Sequence, residues 1–91
     1  MNTKQKYPND LRLHRYRIGL RQTDVAQFLK LDCANRISRW ENGSSMPSVI
    51  NLFHLATLYK VLPQELYQET WQIIVERTNS PMKTAIPISN E

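Results

Sequence analysis

A chain of 91 residues has room for one small domain, and with 41% hydrophobic and 22% charged residues it is composed like one that folds around a core. Its formal charge of +4 is unevenly placed, because residues 1–45 hold nine Lys/Arg against four Asp/Glu and residues 46–91 hold three against four. A single cysteine, two glycines and no long apolar run argue against a disulfide scaffold, a glycine-rich phosphate loop, a membrane span and a secretory signal.

The basic first half suits an anionic partner, nucleic acid above all. Every predicted element is a helix. Asn9 or Asp10 can cap the first behind Pro8; Leu11, Ile18 and the stem of Arg15 share one face, and Gly19 suits a left-handed stop. A second helix runs from about Gln22 to Leu29, with Val25, Ala26 and Leu29 inward. After a turn over Lys30 to Cys33, a third spans about Ala34 to Glu41 and ends at Asn42-Gly43. Beyond the loop Ser44-Ser45-Met46-Pro47, Ser48 caps a fourth helix whose inward residues are Leu52, Leu55, Ala56 and Tyr59. Pro63 opens a fifth, which Leu66, Tyr67, Thr70, Trp71 and Ile74 continue to about Arg77. From Asn79 onward, Pro81, Pro87 and small polar residues predict a loose tail. No stretch alternates persistently, so the class is all-α.

The chemistry concentrates on the third helix. At 100° per residue, Ile37, Trp40 and Glu41 share one side; Asn35, Ser38, Arg39 and Asn42 fall on the other, with Ala34 and Arg36 at its edges. The outward arc holds amides, a hydroxyl and a guanidinium with no acid among them. Such groups read base edges: Arg pairs with guanine, Asn with adenine, and a small Ser allows close approach. Taken alone, a face of this kind is more often plain solvated surface. Arg15 and Glu41 are charged residues on core faces, where an unpaired charge is prohibitively costly. Nothing points to catalysis. His14 and His54 stand alone, Cys33 has no activating base in sequence, and no serine sits in a nucleophile elbow. No enzyme, metal or cofactor is predicted.

The residues Leu11, Arg15, Gly19-Leu20-Arg21-Gln22, Val25-Ala26 and Leu29, then Ile37-Ser38-Arg39-Trp40-Glu41-Asn42-Gly43, then Pro47, Leu52, Leu55-Ala56, Val61 and Glu65-Leu66 resemble the Xre family of helix-turn-helix proteins. That family includes the Cro and repressor proteins of lambda-like phages. The resemblance implies a five-helix, lambda-repressor-like all-α domain, in which the second and third helices form the helix-turn-helix and the third enters the major groove of DNA. It implies that Asn35, Ser38 and Arg39 face the bases and that Arg36 reaches base or backbone, with the methyl of Ala34 suited to a thymine methyl. It assigns phosphate to Gln22 and Thr23 at the start of the second helix and to Asn42, Ser44 and Ser45 after the third. It also implies that Arg15 and Glu41 meet as an ion pair between the first and third helices. Two features depart from the family. Lys30 stands where Gly is usual, and the segment from Leu29 to Ile37 is one residue longer than in the phage repressors. The longer turn can relieve the need for a left-handed residue, so Lys30 need not carry that strain, and Asp32 or Cys33 can cap the third helix.

The expected organisation is a flexible arm over 1–7, the helix-turn-helix domain over 8–67, a helical extension over 68–78 and a disordered tail over 79–91. The expected function is sequence-specific binding of double-stranded DNA by a cytoplasmic repressor, prokaryotic or phage-encoded by resemblance. No ligand-sensing domain is expected. One helix-turn-helix covers only a half-site, so a homodimer on a palindromic operator is expected. Tyr67, Trp71 and Ile74, spaced i, i+4, i+7, are the expected surface for that dimer or another protein partner. The alternatives are an antitoxin or accessory regulator that binds a protein through residues 67–78, and an adaptor that contacts proteins and no DNA.

Overall fold

One asparagine both opens the first helix and ties it to the third. In a computed structural model describing residues 5–80, Asn9 Oδ1 accepts from the Leu11 N–H at 3.0 Å, and its amide donates to the carbonyls of Tyr7 (3.0 Å) and Trp40 (2.9 Å). Asp10 holds the cap position without a side-chain bond. The helices are α1 (Leu11–Arg17), α2 (Gln22–Phe28), α3 (Asn35–Glu41), α4 (Val49–Tyr59), α5 (Pro63–Leu66) and α6 (Gln68–Thr78), with no strand among the described residues. As expected, Ser48 Oγ caps α4 by accepting from Asn51 N–H at 3.1 Å, and Pro63 occupies the first turn of α5.

The first four helices end in the same way. Gly19, Lys30, Gly43 and Lys60 are all left-handed, with φ of +75°, +61°, +79° and +61°. The next residue's N–H reaches back to a last-turn carbonyl in each case: Leu20 to Arg15 (3.2 Å), Leu31 to Ala26 (2.9 Å), Ser44 to Arg39 (3.1 Å) and Val61 to Ala56 (3.0 Å). Leu20, Leu31 and Val61 then pack against the core. Lys30 therefore does not escape the left-handed conformation, despite the longer turn. Ending α2 this way satisfies its free carbonyls and returns Leu31 inward, at a cost of about 1–2 kcal/mol for a residue with a Cβ. Nor does Asp32 or Cys33 cap α3. Ala34 holds that position with no side-chain bond, and both Asp32 and Cys33 are exposed in the preceding bend.

Leu11, Val25, Ala26, Ile37, Trp40, Leu55, Ala56, Tyr59, Leu66 and Tyr67 form the core. α1 and α2 both pack on α3, and α4 packs on α5. The fifth helix does not continue into the extension. The chain bends at Tyr67 (φ −132°, ψ 56°), outside helical space, which lets the neighbours Leu66 and Tyr67 both turn into the core. The extension is thus a separate helix, α6, packed on α5 and carrying no buried residue. The described part of the expected arm is docked: Tyr7 N–H donates to the Gly43 carbonyl at 2.9 Å and its ring packs against the core. Residues 1–4 and 81–91, which hold the rest of that arm and most of the expected tail, lie outside the described residues. No described helix is long and apolar enough to cross a membrane.

Candidate nucleic-acid interface

α3 lies with Ile37, Trp40 and Glu41 buried and with Asn35, Arg36, Arg39 and Asn42 exposed; Ser38 is half-buried between them. The partition follows from 100° per residue and an apolar seam that packs on α1 and α2. Ala34 is half-buried against the core. At the start of α2, Thr23 is exposed and Gln22 half-buried; after α3, Ser44 is exposed and Ser45 half-buried.

Beneath this face, one carboxylate collects donors from three directions. Arg15 grips Glu41 with two parallel bonds, Nε to Oε2 at 2.6 Å and Nη2 to Oε1 at 2.9 Å, and both side chains are almost wholly buried. Gln22 Nε2 donates to Oε1 at 2.9 Å, and Arg12 Nε donates to the same oxygen at 3.3 Å. Burial pushes the Glu41 carboxyl up, but the hydrogen bonds from Arg15, Gln22 and Arg12 more than reverse this and hold it below the ordinary glutamate range. Arg15 is held above its ordinary value, chiefly by its hydrogen bonds to Glu41. A third bond, from Arg15 Nη1 to the Leu20 carbonyl at 3.0 Å, fixes its fork to the turn before α2.

The outward groups divide by what already holds them. The side chains of Asn35, Arg39 and Thr23 have no hydrogen bond or ion pair among the described residues, so their donors face solvent unengaged. Arg36 lies over the Trp40 ring, 5.6 Å from its centroid, which steadies the guanidinium without using its donors. Ser44 Oγ donates to the Arg39 carbonyl at 3.2 Å, while the Gln22 amide is held by the buried Glu41 and the Asn42 amide by Arg12 at the surface. Arg21 and Asp24 neutralise each other at the start of α2 (3.1 Å). Hydrogen bonds from Arg21 hold the Asp24 carboxyl below its ordinary value.

Sequence reading assigned no role to Arg12, which spans Glu41 and Asn42. Its position three residues before Arg15, on the same side of α1, was the available signal. Of the expected docking residues, Tyr67 is a correction: only 6% exposed, it belongs to the core and offers no contact surface. Trp71 and Ile74, about half exposed, do line an apolar groove with Met46, Leu52 and Phe53. His54 is exposed and meets Phe28 edge-on, and Cys33 is a free, exposed thiol. No group of three metal-ligating side chains occurs among the described residues.

This arrangement presents one face of unengaged donors on a packed seam, with two amides, those of Gln22 and Asn42, held by neighbouring side chains at the Glu41 end of α3. A helix-turn-helix family model matches residues 13–66, more than half of the chain. Neither a curated protein nor a solved structure matches it.

Proposed function

Because the chain belongs to the Xre-like, Cro/C1-type helix-turn-helix family of DNA-binding transcription regulators, we propose that it reads a specific duplex sequence with α3 in the major groove and acts as a repressor. The observation that carries this reading is the exposed Asn35–Arg39 face, whose amide and guanidinium are unengaged, set on a buried seam that fixes its orientation. Arg39 is the principal base reader, with Asn35, Arg36, Ser38 and the Ala34 methyl beside it. Gln22, Thr23, Asn42, Ser44 and Ser45 contact phosphate and set the register. Repression is the regulatory act that needs only occupancy, since a bound domain excludes other proteins from the same DNA.

One such helix spans a few base pairs, so two copies bind half-sites about 34 Å apart in a palindromic operator. The half-exposed Trp71 and Ile74 on α6, beside Phe53, support a second copy as the occupant of that groove. The same surface is what favours the second reading, an antitoxin or accessory regulator that holds another protein there.

Selection of bound sites from random duplex DNA tests the proposal, with a palindromic consensus as the expected result. Arg39→Ala then weakens binding to that site by about 1–3 kcal/mol and relaxes the preference at one base pair. Equal losses on selected and random DNA would remove Arg39 from base readout.

A further inference from the structure

Among the described residues, Arg12 is the charged side chain that joins the buried carboxylate to the exposed end of α3. Half of it is in solvent; its Nε donates to Glu41 Oε1 at 3.3 Å and its Nη2 to Asn42 Oδ1 at 3.2 Å. A guanidinium has donors only, so the atom it meets on Asn42 has to be the amide oxygen. The acceptor end of Asn42 is thereby engaged, and its NH2 group is the end left to solvent. An asparagine that reads adenine needs both ends, the NH2 to donate and the oxygen to accept. With its oxygen held, Asn42 is a donor to an anion. Left free, the amide can turn through 180° and present its oxygen to a phosphate, which repels it.

We propose that Arg12 is a positioning residue for DNA binding: forked between Glu41 and Asn42, it holds the Asn42 amide with its NH2 toward a phosphate oxygen. The proposal rests on the reading of Asn42 as a phosphate contact. Because Gln22 Nε2 donates to the same Glu41 oxygen at 2.9 Å, one carboxylate orients the amides at both ends of the helix-turn-helix, directly on α2 and through Arg12 on α3. A lysine cannot replace Arg12 here. Its compact ammonium keeps the charge but not the planar fork that reaches two oxygens at once.

The test measures affinity of the whole chain for random-sequence duplex DNA at fixed salt, because a phosphate contact acts on every sequence alike. Asn42→Ala is expected to weaken binding on the order of tenfold, the worth of one hydrogen bond to a charged group. Arg12→Lys is expected to weaken it comparably, and to add nothing in the Asn42→Ala background. Relaxation of the Asn42 side-chain NH2, followed by NMR without DNA, is expected to change from rigid to mobile in Arg12→Lys, a readout that a general loss of stability would not confine to one amide. Wild-type affinity in Arg12→Lys would make Arg12 a plain phosphate cation and overturn the proposal, as would multiplying losses in the double variant or an unchanged Asn42 amide. An Asn42→Ala variant that binds like wild type would instead overturn the phosphate reading of Asn42, and the positioning role with it.

Discussion

Glu41 gathers four donor contacts on one buried carboxylate. Removing it leaves Arg15 buried with no counter-charge, so Glu41→Ala is expected to destabilise by about 3–5 kcal/mol in a denaturant titration. Arg15→Ala should cost less, since Glu41 would keep Arg12 and Gln22. Equal losses would mean that those two donors share none of the charge. The pH dependence follows from the depressed Glu41 pKa. The unfolded chain takes up its proton at a higher pH than the folded one, so this stabilisation is complete above the ordinary glutamate range and is lost as pH falls through it toward the folded value. Glu41→Gln should flatten that acid limb. Tyr67 behaves oppositely: burial pushes its phenol up to about 12, and its hydroxyl has no hydrogen-bond partner among the described residues. Tyr67→Phe is therefore expected to stabilise by about 1 kcal/mol, and a loss of stability would reveal a partner for that hydroxyl.

The helix ends hold strain in two places and none in two others. Lys30 and Lys60 are left-handed residues with a Cβ, whereas Gly19 and Gly43 occupy the same conformation freely. Lys30→Gly and Lys60→Gly should each stabilise by roughly 0.5–1 kcal/mol, the relieved strain less the greater entropy of an unfolded glycine. In a domain of this size that is a rise of about 4 °C in Tm, and an unchanged melt would show that the turns had relaxed. The reverse substitutions differ from each other. A Cβ on Gly19 meets nothing within 4 Å, while one on Gly43 meets Gln5 at 2.8 Å, so Gly43→Ala should cost more and loosen residues 5–7. α6 raises a different problem. An 11-residue helix with no buried residue is marginal in isolation, and α6 packs chiefly on the short α5. The proposed dimer supplies the missing cover. Sedimentation with operator DNA should give two chains per site for the wild type and one for Trp71→Ala; two for both would remove α6 from the contact.

Taken whole, the molecule sets a basic, donor-rich helix, α3, on α1 and α2, and an amphipathic helix, α6, on α5. Binding through the first should weaken linearly in log salt, by about 0.9 per phosphate neutralised; a flat dependence would argue against a DNA-binding face. Much of this was legible in the residues. The helix spans, the Ser48 cap, the inward Ile37–Trp40–Glu41 seam and the outward polar face of α3 all follow from spacing and caps within a few residues, which is local information. The family resemblance added the meeting of Arg15 and Glu41. What local spacing could not supply is whatever depends on groups distant along the chain. Arg12 meets Glu41 across 29 positions, and Asn9 meets Trp40 across 31. Lys30 is left-handed because Leu31 has a core to return to, and the helix breaks at Tyr67 because that core takes both Leu66 and Tyr67. Local pattern decides which face a side chain is on. Only packing decides which partner waits there, because the free energy of burying a group depends on what the rest of the chain has already placed around it.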